Sequence, residues 1–424
     1  MRIAIVNQHG CNRGDEAAGR AVIESLLNEF PDAQIDVLYK HSGKLPAING
    51  NSRRVTHYPE LGHNYDRKKK WKYYVQNILN ILFSVFRLKH FFLGDSGKVF
   101  KKILESDVVI CAPTGPNIGD IYKDKIYLLN LFIPVLYGKD VFMYGSSVGP
   151  FQTKWLKFAA RFLFNRMKGV CVREEISFDY LNELKLKNKN IHYSIDAAVQ
   201  RVIDNSDASA LYKKAGIPLG RDLVGITPLA YYLYPAGLKN IETQRKIESN
   251  LAEVINRITE NANVAVVFFP QLYHLPGEQD PTTTDIPIIE SIIGKLSRRG
   301  SAYVVPGGFD SDEQQSMISK LKFFIAMRYH SIIFSTKMAI PCIGICYEHK
   351  AMGFMKKAGI DNLSVKIEEF LVNKKVVDDK IGYVDENYFK IKDGIEGKLP
   401  FLRELSSRGT KIISSSLLSG LNTL

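Results

Sequence analysis

The sequence predicts an α/β protein made of two doubly wound, Rossmann-like domains facing a central cleft. Three observations lead there. Short apolar runs alternate with longer helical patterns along most of the chain. The alternation comes in two consecutive series, parted by a polar stretch at about Val202–Asp222. The 424 residues, 45% hydrophobic and 24% charged, match ordinary globular usage and suffice for two large cores.

In the first series the strand candidates are Ile3–Asn7, Gln34–Tyr39, Val108–Ala112, Val141–Ser146 and Gly169–Arg173, with helical patterns such as Asp15–Phe30 and Thr153–Met167 between them. A further strand is expected to stop at Ser194-Ile195-Asp196. Asp204-Asn205-Ser206-Asp207 and the turn-like Gly216–Gly220 mark the linker. The second series has strands at Leu223–Thr227, Val264–Phe269, Ala302–Val305, Phe323–Ala326 and Pro341–Tyr347. Its helices are expected at Thr243–Glu260, Ile286–Arg299, Ser311–Lys320 and His330–Lys337. The division is therefore a first domain at 1–201, a linker at 202–222, a second domain at 223–390 and a C-terminal helical tail at 391–424.

Residues 66–102 form an insertion in the first domain. It opens on Lys68-Lys69-Lys70-Trp71-Lys72-Tyr73-Tyr74 and continues as a helix that is apolar on most sides. Asn77, Asn80, Ser84 and Arg87 make one narrow polar stripe. Two readings stand: a core helix with a solvated basic start, or an interfacial helix at 68–93 whose lysines meet anionic lipid.

Lys+Arg 57 against Asp+Glu 44 leaves a net charge of +13, which favours anionic ligands. No nucleic-acid module accompanies that charge, so a nucleic-acid partner is not expected. The five cysteines are scattered without a CxxC pair, and Cys342 with Cys346 has no second ligand pair, so no metal site is expected. The start, Met1-Arg2-Ile3-Ala4-Ile5-Val6, reads as a strand rather than a leader, and the apolar tract Val75–Phe86 is too short to span a bilayer. A cytoplasmic location with reduced thiols is expected.

In doubly wound sheets ligands bind beyond the carboxyl ends of the strands, so the strand-to-helix junctions carry the candidates. The first runs Asn7 to Ala18; Gly10 and Gly14 allow a tight turn, Asp15 fits a helix cap, and Asn12 and Glu16 can hold sugar hydroxyls. It is not a GxGxxG dinucleotide fingerprint. The third strand leads into Pro113-Thr114-Gly115-Pro116-Asn117-Ile118-Gly119-Asp120, and the fourth into Gly145-Ser146-Ser147-Val148-Gly149-Pro150. Asn117, Asp120, Ser146 and Ser147, with Asn12, Asp15, Glu16 and Asp196, are thus candidate substrate contacts. Arg173, just past a strand end, suits a carboxylate or phosphate, and Asp196 is expected near the same edge.

The sharpest junction is Met327-Arg328-Tyr329-His330-Ser331. An apolar strand hands directly to two polar side chains that a core does not hold without partners. Arg328 can bind an anion and His330 can exchange protons near neutral pH. The next strand delivers Lys350, so Arg173, Arg328, His330 and Lys350 would make a pocket for a small, multiply charged anion.

These junctions, in this order, resemble the polysaccharide pyruvyltransferase family. The matching pieces are Asn12-Arg13-Gly14-Asp15-Glu16-Ala17, Gly145–Pro150, Val172-Arg173-Glu174-Glu175-Ile176-Ser177, Asp196-Ala197-Ala198, Met327–His330, Ile340–Ile345 and Lys350. One junction departs: the family usually has a glycine triplet where this chain has Pro113-Thr114-Gly115, which bears on the acceptor. The resemblance implies a GT-B-like pair of domains, the first on the acceptor side and the second on the donor side. It implies transfer of the pyruvate unit of phosphoenolpyruvate to a sugar as a cyclic ketal, without metal or other cofactor. Arg173, Arg328, His330 and Lys350 match positions that family members use for phosphoenolpyruvate. The acceptor is a cell-surface polysaccharide or its precursor, lipid-linked among the options. The alternative within the same fold is a nucleotide-sugar glycosyltransferase, with Glu348 placed for ribose hydroxyls. A noncatalytic binder is the third reading.

Overall fold

A computed structural model describes residues 1–10, 12–40, 53–58, 61, 70–113, 115, 118–121, 124–233, 240–273 and 284–421. Among these, two parallel sheets form. The first contains β1 (Arg2–Gln8), β2 (Gln34–Tyr39), β3 (Val55–Tyr58), β4 (Val108–Cys111), β5 (Asp140–Ser146), β6 (Gly169–Val172) and β7 (Ile191–Tyr193), in the order β3-β2-β1-β4-β5-β6-β7. The second contains β8 (Asp222–Thr227), β9 (Val264–Phe268), β10 (Ala302–Val304), β11 (Phe323–Ala326), β12 (Cys342–Cys346) and β13 (Ser364–Lys366), in the order β10-β9-β8-β11-β12-β13. Both are doubly wound. The strand order reverses between β1 and β4 in one sheet and between β8 and β11 in the other, which marks two ligand crevices.

The central strands are apolar on both faces because helices cover both. Ile3, Ala4, Ile5 and Val6 of β1 are fully buried, as are Phe324, Ile325 and Ala326 of β11. The edge strands β3 and β13 have no counterpart in the sequence reading. At three or four residues, partly exposed, they carry too little apolar pattern to announce themselves.

By contacts the chain divides into one unit of Met1–Gly10, Ala18–Ala197 and Glu404–Leu424, and a second of Cys11–Ala17 and Ala198–Arg403. This differs from the sequence reading in three places. The stretch expected as a linker contains a helix, Ala208–Lys214, whose buried Tyr212 donates to the Met317 carbonyl within the second unit. The C-terminal helical region starts earlier, at Lys375, and runs to Ser406, with a break at Asn387. Arg257–Asp378 at 2.7 Å and Lys322–Asp385 at 2.8 Å tie its first part to the second unit. The final helix, Arg408–Leu421, instead belongs to the first unit, where Thr410 meets Tyr144 at 2.8 Å and Ser25 at 2.6 Å. Third, residues 12–17, read as part of the first domain, belong to the second.

Within the 66–102 insertion, residues 66–69 lie outside the described residues. The remainder is two helices, Lys70–Val85 and Gly94–Leu104, rather than one. Arg87, in the left-handed region at φ 56°, ends the first. No helix among the described residues is long and apolar enough to cross a membrane.

Cys111, Cys171, Cys342 and Cys346 are buried free thiols, and Cys11 lies outside the described residues. Burial pushes the Cys111 and Cys171 thiols up to about 11 and Cys346 to about 12, and raises Cys342 as well. Since the thiolate is the nucleophile, these four will react with a disulfide reagent at pH 8 only as fast as the protein opens. Titration with and without denaturant checks this; rapid native reaction of more than one thiol contradicts it.

Candidate active site

In the second unit, three strand ends and the residue 12–17 segment converge. Thr227 ends β8, and the β9 strand leads into Pro270-Gln271-Leu272-Tyr273. Arg13 donates its backbone N–H to the Gln271 carbonyl at 3.0 Å, and Asn12 forms a bridge with Leu272. β11 then delivers Arg328 as the N-cap residue of the helix Tyr329–Lys337, with His330 in its first turn. A helix start here supplies backbone N–H groups and a partial positive charge at the strand-order reversal.

Asn12 is the side chain that caps the first helix, Arg13–Glu29: its Oδ1 accepts from the Gly14 N–H at 2.8 Å. Asp15, the residue that the sequence offered as a cap, is buried within the first turn instead. Gly14 lies flat against the His330 imidazole. A Cβ at Gly14 would fall 2.0 Å from both Cγ and Nδ1 of His330, so only glycine admits this approach. Glu16 is fully engaged. One carboxylate oxygen accepts from Arg13 Nη1 at 2.6 Å and the other from the Ser311 N–H and hydroxyl at 3.2 Å each. Arg13 also donates to the Gly307 carbonyl at 2.8 Å and covers the Tyr273 ring, 4.8 Å from its centroid. Burial pushes the Tyr273 hydroxyl well above the ordinary phenol range, so it serves as a neutral hydrogen-bonding group.

Arg328 is buried and donates through Nη2 to Asp285. Asp285, wholly inaccessible, uses its second oxygen to accept the N–H groups of Gln271 at 2.9 Å and Leu272 at 3.1 Å. The carboxylate thus locks the post-β9 turn and the guanidinium together. Tyr329 links the remaining groups: its ring meets His330 edge-on at 5.3 Å, and Lys350 Nζ lies 5.6 Å from its centroid. Lys350 is paired with Glu348 at 2.5 Å, which commits the carboxylate considered for ribose hydroxyls. The structure therefore brings Asn12, Asp15, Glu16, Arg328, His330 and Lys350 to one edge of the second unit.

In the first unit, the strand ends gather a second polar cluster. Arg173 follows β6, is buried, and donates to Asp196 and, at 3.0 Å, to the Ser147 hydroxyl. Ser147 in turn donates to Glu174. Asp196 follows β7, and its carbonyl accepts from Ser406 at 2.7 Å. Ser146 donates inward to the Ala112 carbonyl at 2.9 Å. Asp120 is a loop latch: its carboxylate accepts the N–H groups of Gln152 at 2.6 Å and Thr153 at 2.9 Å, and the Thr153 hydroxyl. Asn117 lies outside the described residues. Arg173, Asp196 and Ser147 are thus together, whereas Ser146 and Asp120 serve the backbone around them.

Two engaged groups escaped the sequence reading, Asp285 and Arg13. Asp285 follows a polar stretch of sequence with no apolar run directly before it. The pattern Asp285-Ile286-Pro287, an acid ahead of a proline in a helix's first turn, was its one available signal.

Comparisons with known proteins give the family and the fold. The polysaccharide pyruvyl transferase family model matches residues 12–349. A relative across the whole length is the amylovoran biosynthesis protein AmsJ of Erwinia amylovora, 24% identical over 98% of this chain and 100% of its own. Solved structures share the fold at low identity. The Anabaena HepE complex with UDP-glucose has TM-score 0.59 at 13% identity, covering 100% of both chains. The S. aureus MnaA complex with UDP has TM-score 0.60 at 10% identity, covering 100% of this chain and 97% of that one. The fold is GT-B-like, and with the family motif spanning both sheets, from the helix start at Asn12 to the junction after β12, the chain belongs to the polysaccharide pyruvyl transferase family.

Proposed function

We propose that the protein moves the pyruvate unit of phosphoenolpyruvate onto a sugar of a cell-surface polysaccharide or its lipid-linked precursor, forming a cyclic ketal and releasing phosphate. The observation that carries the reading is the junction after β11. A buried arginine and a histidine stand in the first turn of a helix, at the strand-order reversal, with Lys350 two ring contacts away. Arg328, Lys350 and the helix start suit the carboxylate and phosphate of the donor. Arg173 is assigned to the same anion in the family resemblance.

In the proposed reaction His330 or Lys350 gives a proton to the methylene carbon of the donor, leaving oxocarbenium character at the central carbon. A sugar hydroxyl attacks that carbon and the carbon–oxygen bond to phosphate breaks. The second hydroxyl then attacks the same carbon to close the ring. Of the two hydroxyl protons lost, one replaces the proton given to carbon and the other leaves with phosphate. Cations held away from bulk water stabilise the departing phosphate. The reading includes a cytoplasmic enzyme, peripheral on the inner face of the cell membrane through residues 68–93.

Thermal melting tests the donor. A ligand that binds only the folded state raises the midpoint with concentration, by about 2.7 kcal/mol of stability at a hundredfold excess over Kd. Phosphoenolpyruvate is expected to do so, and Arg328→Ala to abolish the shift. A shift with UDP- or GDP-sugars and none with phosphoenolpyruvate overturns the proposal in favour of a glycosyltransferase.

A further inference from the structure

The helix Lys70–Val85 is set into the first unit with its polar side inward. Asn77, Asn80 and Ser84 are buried. Asn80 donates to the Leu93 carbonyl at 3.0 Å and accepts the Leu93 N–H at 2.7 Å, and Ser84 donates to the Asn80 carbonyl. The opposite stripe, at positions 71, 74, 75, 78, 81, 82 and 85, is exposed and wholly apolar or aromatic. A water-facing helix normally shows the reverse pattern.

That stripe is one wall of a groove of about 610 Å³. Leu129, Phe132 and Ile133 of the helix Lys125–Leu136 form its floor, and Trp155 of the helix Lys154–Phe164 stands on the far side. Both tryptophans of the chain face outward here, Trp71 71% and Trp155 46% exposed, beside Phe158 at 74%. Phe132 stacks on Phe162 at 5.2 Å, which joins the last two helices.

The charges are of one sign. Lys72, Lys125, Lys154, Lys157 and Arg161 are exposed around the apolar surface, and none of the three helices contains Asp or Glu. The one carboxylate lining the groove among the described residues, Asp124, caps the middle helix and is paired with Lys40.

From these observations we infer that the three helices Lys70–Val85, Lys125–Leu136 and Lys154–Phe164 form a docking face for an anionic phospholipid bilayer. Aromatic and aliphatic side chains enter the acyl boundary while lysine and arginine stems lie along it and their heads reach the phosphates. A second copy of the chain would bring like charges together. The centre of a protein–protein interface is depleted in lysine, whereas this face is rimmed with it. The inference extends the membrane contact proposed for residues 68–93 to a composite surface and uses no step of the transfer reaction. Its test therefore needs neither donor nor acceptor.

The two tryptophans make intrinsic fluorescence a direct probe of this face. With vesicles of phosphatidylglycerol and phosphatidylcholine, the full chain is expected to show a blue-shifted emission and to cosediment. Both effects should weaken with added salt and with phosphatidylcholine alone. Lys154→Gln and Lys157→Gln should each reduce partitioning about fivefold. Ile78→Ser with Phe158→Ser should reduce it further, with an unchanged melting midpoint since the replaced side chains are exposed. No emission shift with anionic vesicles overturns the inference. So does a shift that none of these variants alters, or a dimer in light scattering that Ile78→Ser dissociates.

Discussion

Replacing Asp285 by alanine should destabilise the second unit by about 3–5 kcal/mol, the cost of leaving a buried partner charge uncompensated. Arg328 is buried and donates to Asp285, so the variant removes a carboxylate partner from a guanidinium in a low-dielectric site. It also removes the acceptor for the Gln271 and Leu272 N–H groups, each costing about 1–3 kcal/mol if water does not replace it. The pair can be separated from the turn by a second variant. Arg328→Met with Asp285→Ala removes the buried guanidinium together with its carboxylate, so it should recover part of the loss while the two amide groups keep the rest. Urea unfolding of the single and double variants measures both. If the double variant loses as much as the two singles summed, Asp285 and Arg328 act independently and the carboxylate does not position the guanidinium.

Asp285 also shows which parts of the site were legible in the sequence. Arg328 and His330 could be found because they interrupt an apolar strand at its carboxyl end, where a polar side chain needs a reason. Arg173 and Asp196 were found in the same way, after β6 and β7. Asp285 has no apolar run directly before it in the sequence, and its importance comes from tertiary contacts with Gln271, Leu272 and Arg328. The segment 12–17 was read as a candidate site but assigned to the first domain by chain order; its contacts place it in the second unit. A strand–turn–helix pattern gives the direction of a helix but not which sheet receives its first turn. The helix Lys70–Val85 illustrates a related limit. Its polar stripe at Asn77, Asn80 and Ser84 was visible, but periodicity cannot say which face turns inward. The Leu93 backbone decides it by supplying the donor and acceptor that Asn80 needs.

Gly14→Ala should be strongly damaging for a single added methyl. The added carbon would stand 2.0 Å from two atoms of the His330 ring, far inside van der Waals contact. The His330 Cβ would also lie 2.5 Å away, so turning the imidazole does not relieve the clash by itself and the backbone at Gly14 must shift as well. Strain of this kind typically costs about 1–3 kcal/mol. The effect on turnover should be larger, because a 1 Å misplacement of a reacting group commonly costs about a hundredfold. Backbone damage and ring displacement are distinguishable. In a His330→Gly background both the ring and the His330 Cβ, which would lie 2.5 Å from the added carbon, are absent, so the stability cost of the methyl at position 14 should fall. Non-additivity of this sign is expected of residues in direct contact. An equal penalty in both backgrounds would show that Gly14 is required for its backbone alone. A penalty that falls with the His330 side chain would instead show that Gly14 sets the position of the imidazole from which His330 is proposed to deliver its proton.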